Sequence, residues 1–240
     1  MTVGASLWNP ESFSEQRRLD YFYLALYLGL LIGLLCYNFL LYLNLRDRSY
    51  LYYVLFSGSL LLALGSYSGL WFELLWPSSP VWHNVSVPIS FSLMGIFAVL
   101  FSRYFLQTHI RLPKLDKALH VIMLAFVVLI LAIPIVSHSY IGQLLSILGF
   151  ILAITLSIVA MDLSLKGYRT ALIYFAAWLL LILGTLILSA RNFGLIPNTL
   201  LSQYAIFIGS ALEMILLSFA LAQRINQIKD HYQRLISDNS

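Results

Sequence analysis

The sequence has few charged residues and a single cysteine. Only 10% of its 240 residues are Asp, Glu, Lys or Arg, whereas 60% are hydrophobic. A soluble globule of this composition would lack enough polar groups to cover its surface. Cys36 has no second cysteine to pair with, so a disulfide framework within the chain is excluded. None of the four lysines lies inside the last long apolar run, at 200–223, which excludes a retinal-type Schiff base there.

The sequence also lacks the sets of side chains that form catalytic or metal sites. The histidines are scattered over predicted loops and helix ends, so we expect no metal site. Only one carboxylate, that of Glu213, lies deep in an apolar run, and a paired-carboxylate protease needs two. No nucleophile, base and orienting group come together in the sequence. We therefore expect no catalytic residues, no enzyme activity in this chain and no cofactor.

Seven long apolar runs make up most of the chain. Each is about 20 residues long, enough for a helix to cross the ~30 Å hydrocarbon core of a bilayer. The runs lie at 20–43, 50–70, 83–106, 117–136, 140–165, 170–190 and 200–223. They predict an all-α membrane protein, a bundle of seven transmembrane helices, with too little remaining chain for a soluble catalytic or ligand-binding domain.

The positions of Lys and Arg predict how the bundle is oriented. Eleven of the fourteen basic residues fall on one side of the predicted spans, and cytoplasmic loops are the ones that keep positive charge. We therefore place the N-terminus outside and the C-terminus in the cytoplasm. We expect residues 1–19 to form an extracytoplasmic tail, 20–224 the bundle, and 225–240 a cytoplasmic helix. The net charge of +4 follows from this bias, so no nucleic-acid partner is expected.

Three polar side chains in or beside the spans are candidates for ligand binding or switching. Glu213 lies near the middle of the last span and must face the bundle interior. It either joins the last helix to a polar neighbour by a hydrogen bond or serves as a ligand anchor or switch, and both interpretations stay open. Asn38 is expected to form an interhelical hydrogen bond. Arg191, at the end of span six, either complements a ligand carboxylate or extends toward water.

Other residues predict contacts between helices. Arg103 and Asp162 lie near the cytoplasmic ends of their spans, where they can pair with each other or with Lys166, or extend toward water. The glycine pairs 29/33 and 65/69 follow the GxxxG pattern that lets two helix backbones approach. We expect these glycines to serve packing within the bundle rather than a dimer contact.

The C-terminal part of the last helix carries a heptad pattern. Apolar residues recur at spacings of four, three, four and three, the a/d pattern of a coiled coil; they are Leu221, Ile225, Ile228, Tyr232 and Leu235. This seam predicts that the helix continues into the cytoplasm and pairs with a second copy as a parallel homodimer. The alternative is an amphipathic tail that lies on the inner leaflet.

Several segments resemble a known family. Residues 35–42 (Leu-Cys-Tyr-Asn-Phe-Leu-Leu-Tyr) and 45–53 (Leu-Arg-Asp-Arg-Ser-Tyr-Leu-Tyr-Tyr) resemble the bacterial seven-transmembrane receptors with diverse intracellular signalling modules. Residues 208–213 and 221–225 resemble the close of that domain, where the last span passes into a signalling helix. The resemblance extends over about residues 20–230. It directs attention to six positions without assigning any of them a reaction: Asn38, Arg46, Asp47, Tyr50, Glu213 and Arg224.

The resemblance implies a receptor in a bacterial inner membrane with a histidine kinase or a cyclic-di-GMP enzyme as its output. We therefore expect a sensor that detects an extracytoplasmic or membrane-embedded ligand and passes a helix rearrangement to an output domain, in cis or in trans. Its expected partners are the lipid bilayer, an unidentified ligand and a second copy of the chain. The candidates for cytoplasmic coupling are Arg46, Asp47, Tyr50, Arg103, Asp162 and Arg224. The alternative function is a small transporter or channel, or a lipid-binding assembly module.

Overall fold

The computed structural model describes the backbone of residues 10–192 and 194–237, and the side chains of 18–191 and 194–225. Within these residues the fold is entirely helical. The helices are α1 (Pro10–Leu45), α2 (Arg48–Tyr67), α3 (Leu70–Leu74), α4 (Pro80–Leu106), α5 (Thr108–Arg111), α6 (Pro113–Ala132), α7 (His138–Leu165), α8 (Arg169–Asn192) and α9 (Leu200–Ser237).

Seven of these helices are long and apolar enough to cross a membrane. Their candidate spans are Arg18–Leu45, Arg48–Tyr67, Pro80–Leu106, Pro113–Ala132, His138–Leu165, Arg169–Arg191 and Leu200–Ile225. The seven predicted runs agree with these spans to within four residues at every end. The short helices α3 and α5, which lie between spans, were not predicted.

Local sequence explains several helix boundaries. The carboxylate of Asp47 accepts a hydrogen bond from the backbone N–H of Ser49 at 2.6 Å, which caps α2 and fixes the two-residue turn after α1. Pro80 and Pro113 occupy the first turns of α4 and α6, where a missing N–H breaks no helical hydrogen bond. Gln107 adopts a left-handed φ of 55° between α4 and α5, and the chain then turns back so that α6 starts beside the end of α4.

The backbones of α8 and α9 approach each other very closely at two glycines. A Cβ placed on Gly184 would lie 2.5 Å from the carbonyl oxygen of Ala205, and one placed on Gly209 would lie 2.6 Å from that of Leu180. No side chain fits at either position without a shift of the backbone. These two helices therefore form one tightly packed pair.

The glycine pairs that follow the GxxxG pattern, 29/33 and 65/69, are not packed against another helix in this way. A Cβ on Gly29 or Gly33 would meet no atom within 4 Å, so the prediction that this pair serves packing within the bundle is wrong. Gly65 does lie against another side chain, the indole of Trp71, whereas Gly69 forms a turn with φ 80° and has open space around it. The GxxxG spacing is present in both pairs, but the face that it marks on α1 points away from the bundle.

The interior of the bundle is rich in aromatic side chains, and its outer surface is apolar. Phe101 lies at its centre, with ring centroids 5.7 Å from Tyr53 and 5.2 Å from Phe105. On the outside, Leu26 of α1 and Phe150 of α7 are 65% and 64% exposed. Exposed apolar surface on this scale marks a face that meets lipid rather than water.

Candidate functional site

Glu213 is completely buried in the middle of α9. Its exposed fraction is 0%, which confirms that it faces the bundle interior. Neither carboxyl oxygen has a hydrogen-bond partner among the described residues, so the first of the two interpretations, a hydrogen bond to a polar neighbour, has no support in this arrangement. An ionised carboxylate without a partner at this depth costs several kcal/mol. The surroundings therefore favour the uncharged acid.

Three tyrosines from three helices lie in the neighbourhood of this carboxyl. Tyr27 of α1, Tyr53 of α2 and Tyr174 of α8 are all close enough to interact with Glu213 electrostatically. Each hydroxyl is already bonded elsewhere. Tyr27 shares a hydrogen bond of 2.8 Å with the Ser210 hydroxyl, Tyr53 donates to the backbone carbonyl of residue 214 at 2.7 Å, and Tyr174 bonds with the hydroxyl of residue 102. Four helices thus meet at Glu213, and all three hydroxyls are committed to other groups.

A line of polar contacts joins α1 to α9, and we call it the polar seam. Its members are the pairs Asp20 with Tyr204, Tyr27 with Ser210, and Asn38 with Ser218. The Asn38 amide donates to the Ser218 hydroxyl at 3.0 Å, which confirms the predicted interhelical hydrogen bond. Residue numbers rise together on both helices, so α1 and α9 run in the same direction. Because Glu213 lies between Ser210 and Ser218 on α9, the seam runs past the buried carboxyl.

Arg224 attaches α9 to the turn between α1 and α2. Its guanidinium donates to the Ser49 hydroxyl at 2.5 Å and lies 5.7 Å from the centroid of the Phe105 ring. Asp47 and Tyr50 are close enough to act on its charge. The structure therefore brings together three of the predicted coupling residues, Asp47, Tyr50 and Arg224.

Arg103 forms a different ion pair from the one expected. Its guanidinium binds both carboxylate oxygens of Asp116, at 2.7 and 3.1 Å, and Thr108 donates to the same carboxylate at 2.6 Å. The proposed pairing of Arg103 with Asp162 is wrong, because the turn through α5 places the first turn of α6 beside α4. Asp162 pairs instead with Lys166, at 2.7 Å on an exposed face, as the other alternative predicted.

Two candidate residues lie apart from these clusters. Arg46 is exposed and occupies the α1–α2 turn with a left-handed φ of 53°. Arg191 is half-buried at the end of α8. Neither forms an ion pair with an acidic side chain among the described residues. The geometry thus gives no contact that would single out either residue for ligand binding.

The predicted coiled-coil seam is only partly described. The helix itself continues without a break to Ser237. Leu221 packs in the core of the bundle with 1% exposure, and Ile225 is half-buried against that core. The side chains of Ile228, Tyr232 and Leu235 lie outside the described residues. The pairing of this helix with a second copy stays a prediction.

Sequence reasoning missed most partners of the polar residues that it selected. Tyr27, Tyr53, Tyr174 and Ser210 are ordinary residues in long apolar helices, and a single sequence carries no signal that distinguishes them. Asp116 did offer one, because it directly precedes a predicted span, and a carboxylate at the edge of the hydrocarbon favours a partner.

The seven spanning helices define a multi-pass membrane protein. Its bundle encloses the buried acid of Glu213 and the polar seam. Residues 20–224 match the family described as 7TM diverse intracellular signalling, and the chain belongs to that family. The membership makes it a transmembrane sensor domain for intracellular signalling. No curated protein showed a significant match to the chain, and no solved structure did so.

Proposed function

We propose that this domain detects an extracytoplasmic or membrane-embedded ligand and passes a helix rearrangement to a cytoplasmic output domain. The positive-inside bias supports an extracytoplasmic N-terminus and a cytoplasmic C-terminus. We place the domain in a bacterial inner membrane, as the resemblance described above implies. The observation that carries the proposal is the polar seam, with the unpartnered carboxyl of Glu213 beside it.

The seam is the interface in this bundle that is best suited to move. α8 and α9 touch backbone to backbone at Gly184 and Gly209, so they resist relative motion. α1 is largely exposed, and its polar contacts with α9 are made by side-chain hydroxyl, amide and carboxylate groups. Interhelical side-chain hydrogen bonds in membranes contribute only about 0.6 kcal/mol on average. A ligand can therefore change the α1–α9 contact at little cost.

The unpartnered carboxyl of Glu213 allows two hydrogen-bonding arrangements of the nearby tyrosines that have similar energies. Its hydrogen-bonding capacity is unused in the arrangement described here. If a tyrosine hydroxyl turns toward the acid, one hydrogen bond is gained and its present bond, to Ser210 in the case of Tyr27, is lost. The net difference between two such arrangements is small, and an equilibrium within a few kcal/mol is what a ligand-driven switch requires.

The signal leaves the membrane through α9. This helix is continuous from Leu200 to Ser237, and Arg224 holds it to the α1–α2 turn through Ser49. Movement of α1 therefore reaches α9 at the point where that helix leaves the bundle. We expect the heptad residues beyond Ile225 to pair two copies as a homodimer. The output is a histidine kinase or a cyclic-di-GMP enzyme, in cis or in trans.

The substitution Glu213→Gln tests the proposal. The amide cannot ionise and always presents an N–H donor, so it should favour one arrangement of the surrounding tyrosines. We expect the ratio of stimulated to basal output to change by roughly fivefold or more, measured as phosphorylation or cyclic-di-GMP in the full-length receptor. Glu11→Gln is the matched control, because it makes the same chemical change outside the candidate spans.

Two results would contradict the proposal. One is a Glu213→Gln receptor that reaches the membrane at the parent level, keeps its thermal stability and responds as the parent does. The other is sustained solute flux through the purified protein in proteoliposomes, which would favour a transporter.

A further inference from the structure

A cleft opens at the end of the polar seam that holds Asp20. It lies between residues 20–24 of α1, the first two turns of α9, and the segment from the end of α2 through α3, and its volume is about 300 Å³. Its lining combines carboxylates and a phenol with aliphatic and aromatic carbon, and it includes Asp20, Leu24, Leu70, Glu73, Tyr204 and Phe207. In the proposed orientation this cleft faces the extracytoplasmic side.

Asp20 is a half-buried carboxylate, and its partners among the side chains that the structure describes are neutral. It accepts hydrogen bonds from the Tyr204 hydroxyl and, at 3.4 Å, from the side-chain amide of Gln203. No lysine or arginine whose side chain is described forms an ion pair with it. Its negative charge is therefore available to a cation that enters the cleft.

Aromatic rings stand directly beside this carboxylate. Tyr204 and Phe207 both line the cleft, with their centroids 6.2 Å apart, and Tyr23 lies 5.4 Å from Tyr204 on its other side. A negative group next to aromatic faces is the combination that recognises organic ammonium ions, since the ring quadrupole and the carboxylate both attract the positive charge. A hydrated metal ion would gain nothing from the apolar wall of Leu24 and Leu70.

The volume of the cleft limits the size of its ligand. Ligand cavities range from about 300 to 1,000 Å³, so this cleft lies at the lower end and does not hold a phospholipid. We propose that it binds a small primary amine that carries an apolar or aromatic group, with the ammonium at Asp20 and the apolar group against Phe207. The assignment rests on the proposed function for its role as the signal, but binding itself does not depend on any output.

The cleft is connected to Glu213 by direct contacts. Phe207 lines the cleft and packs edge-on against Tyr27, with centroids 5.1 Å apart. Tyr27 in turn bonds with Ser210, one helical turn before Glu213. An amine that displaces Phe207 or draws Asp20 and Tyr204 closer would therefore shift the α1–α9 contact next to the buried acid.

The test is a binding measurement on the purified chain in zwitterionic nanodiscs. Phenethylamine is titrated calorimetrically, with phenethyl alcohol and phenylacetate as probes of matched size but neutral or negative charge. We expect saturable binding of the amine alone, weakened tenfold or more by Asp20→Asn, since a charge-assisted contact is lost. Asp162→Asn should bind as the parent does. Thermal unfolding of each variant without ligand shows that it is folded.

A second variant keeps the inference testable if Asp20→Asn does not fold. Tyr204→Phe removes the hydroxyl that donates a hydrogen bond to Asp20 but keeps the aromatic ring. Amine binding should therefore be retained or become tighter. Equal binding of amine and alcohol, an unchanged affinity in Asp20→Asn, loss of amine binding in Tyr204→Phe, or competition by millimolar sodium or calcium alone would each overturn the assignment. If the amine binds but leaves the output of the full-length receptor unchanged, the cleft stands as a binding site and its role as the signal is wrong.

Discussion

The close approach of α8 and α9 gives a sharp prediction for a single methyl group. In Gly184→Ala the new Cβ would lie 2.5 Å from the carbonyl oxygen of Ala205, well inside the ordinary contact distance of about 3.5 Å between heavy atoms. The two backbones must separate by roughly 1 Å, because neither group is the end of a flexible side chain. Overpacking of this kind costs about 1–3 kcal/mol.

The same substitution on an open face has the opposite sign. Gly149 of α7 has no atom within 4 Å of its Cβ position, so Gly149→Ala adds no clash and lowers the conformational freedom of the unfolded chain. Alanine in place of glycine within a helix stabilises it by roughly 0.5–1 kcal/mol. The two variants should therefore differ by about 1.5–4 kcal/mol, although their compositions are identical.

Thermal unfolding in nanodiscs, followed by circular dichroism or by loss of the monodisperse peak on size exclusion, distinguishes the two variants. We expect Gly184→Ala to unfold at a clearly lower temperature than the parent, and Gly149→Ala at the same or a higher one. If both variants unfold together, the α8–α9 contact is looser than described here. The inference that these helices move as one body would then fail.

Two further predictions concern polar contacts within the bundle. Asp116→Asn should lower the free energy of unfolding by about 2–3 kcal/mol, because it leaves the half-buried guanidinium of Arg103 without its bidentate carboxylate; an unchanged melting temperature would contradict this. A double-mutant cycle of Asn38→Ala with Ser218→Ala should give a coupling energy near 0.6 kcal/mol, and strict additivity would mean that the 3.0 Å hydrogen bond contributes nothing.

The spans could be predicted from sequence because hydrophobic length alone decides which segments cross a bilayer. The inward orientation of Glu213 followed from the same physics, since a carboxyl cannot face lipid. The partners could not be predicted in this way. Whether Tyr27 or Tyr174 faces the acid depends on how each helix is rotated and which helices are neighbours, and apolar helices in lipid carry only a weak pattern on which such a rotation could be based.

The glycines also show that the sequence does not determine which helices are neighbours. GxxxG spacing marks a face on which backbones can approach, but not whether a helix lies there, and Gly29 and Gly33 have open space. Gly184 and Gly209 lie on different helices and form no GxxxG pair within either one, although Ala205 and Gly209 have the more general small-xxx-small spacing. The pairing of Arg103 with Asp116 was missed because the short turn through α5 leaves little trace in the sequence, yet it determines which helix ends meet.

The two-residue turn between α1 and α2 limits how α1 can move. With only Arg46 and Asp47 between the helices, and Asp47 tied to Ser49, α1 cannot slide along its axis, so its lower end is a pivot. From Leu45 to Asp20 the helix is a rigid lever of roughly 38 Å at 1.5 Å per residue. A tilt of about 5° at the pivot would then displace Asp20 by roughly 3 Å, a distance comparable to a hydrogen bond. Along the part of α1 from Asp20 to Leu45, the displacement is thus largest at the cleft and smallest near Ser49. A ligand that pushes on the Asp20 end would therefore apply an amplified force, as through a lever, to the contact between Ser49 and Arg224.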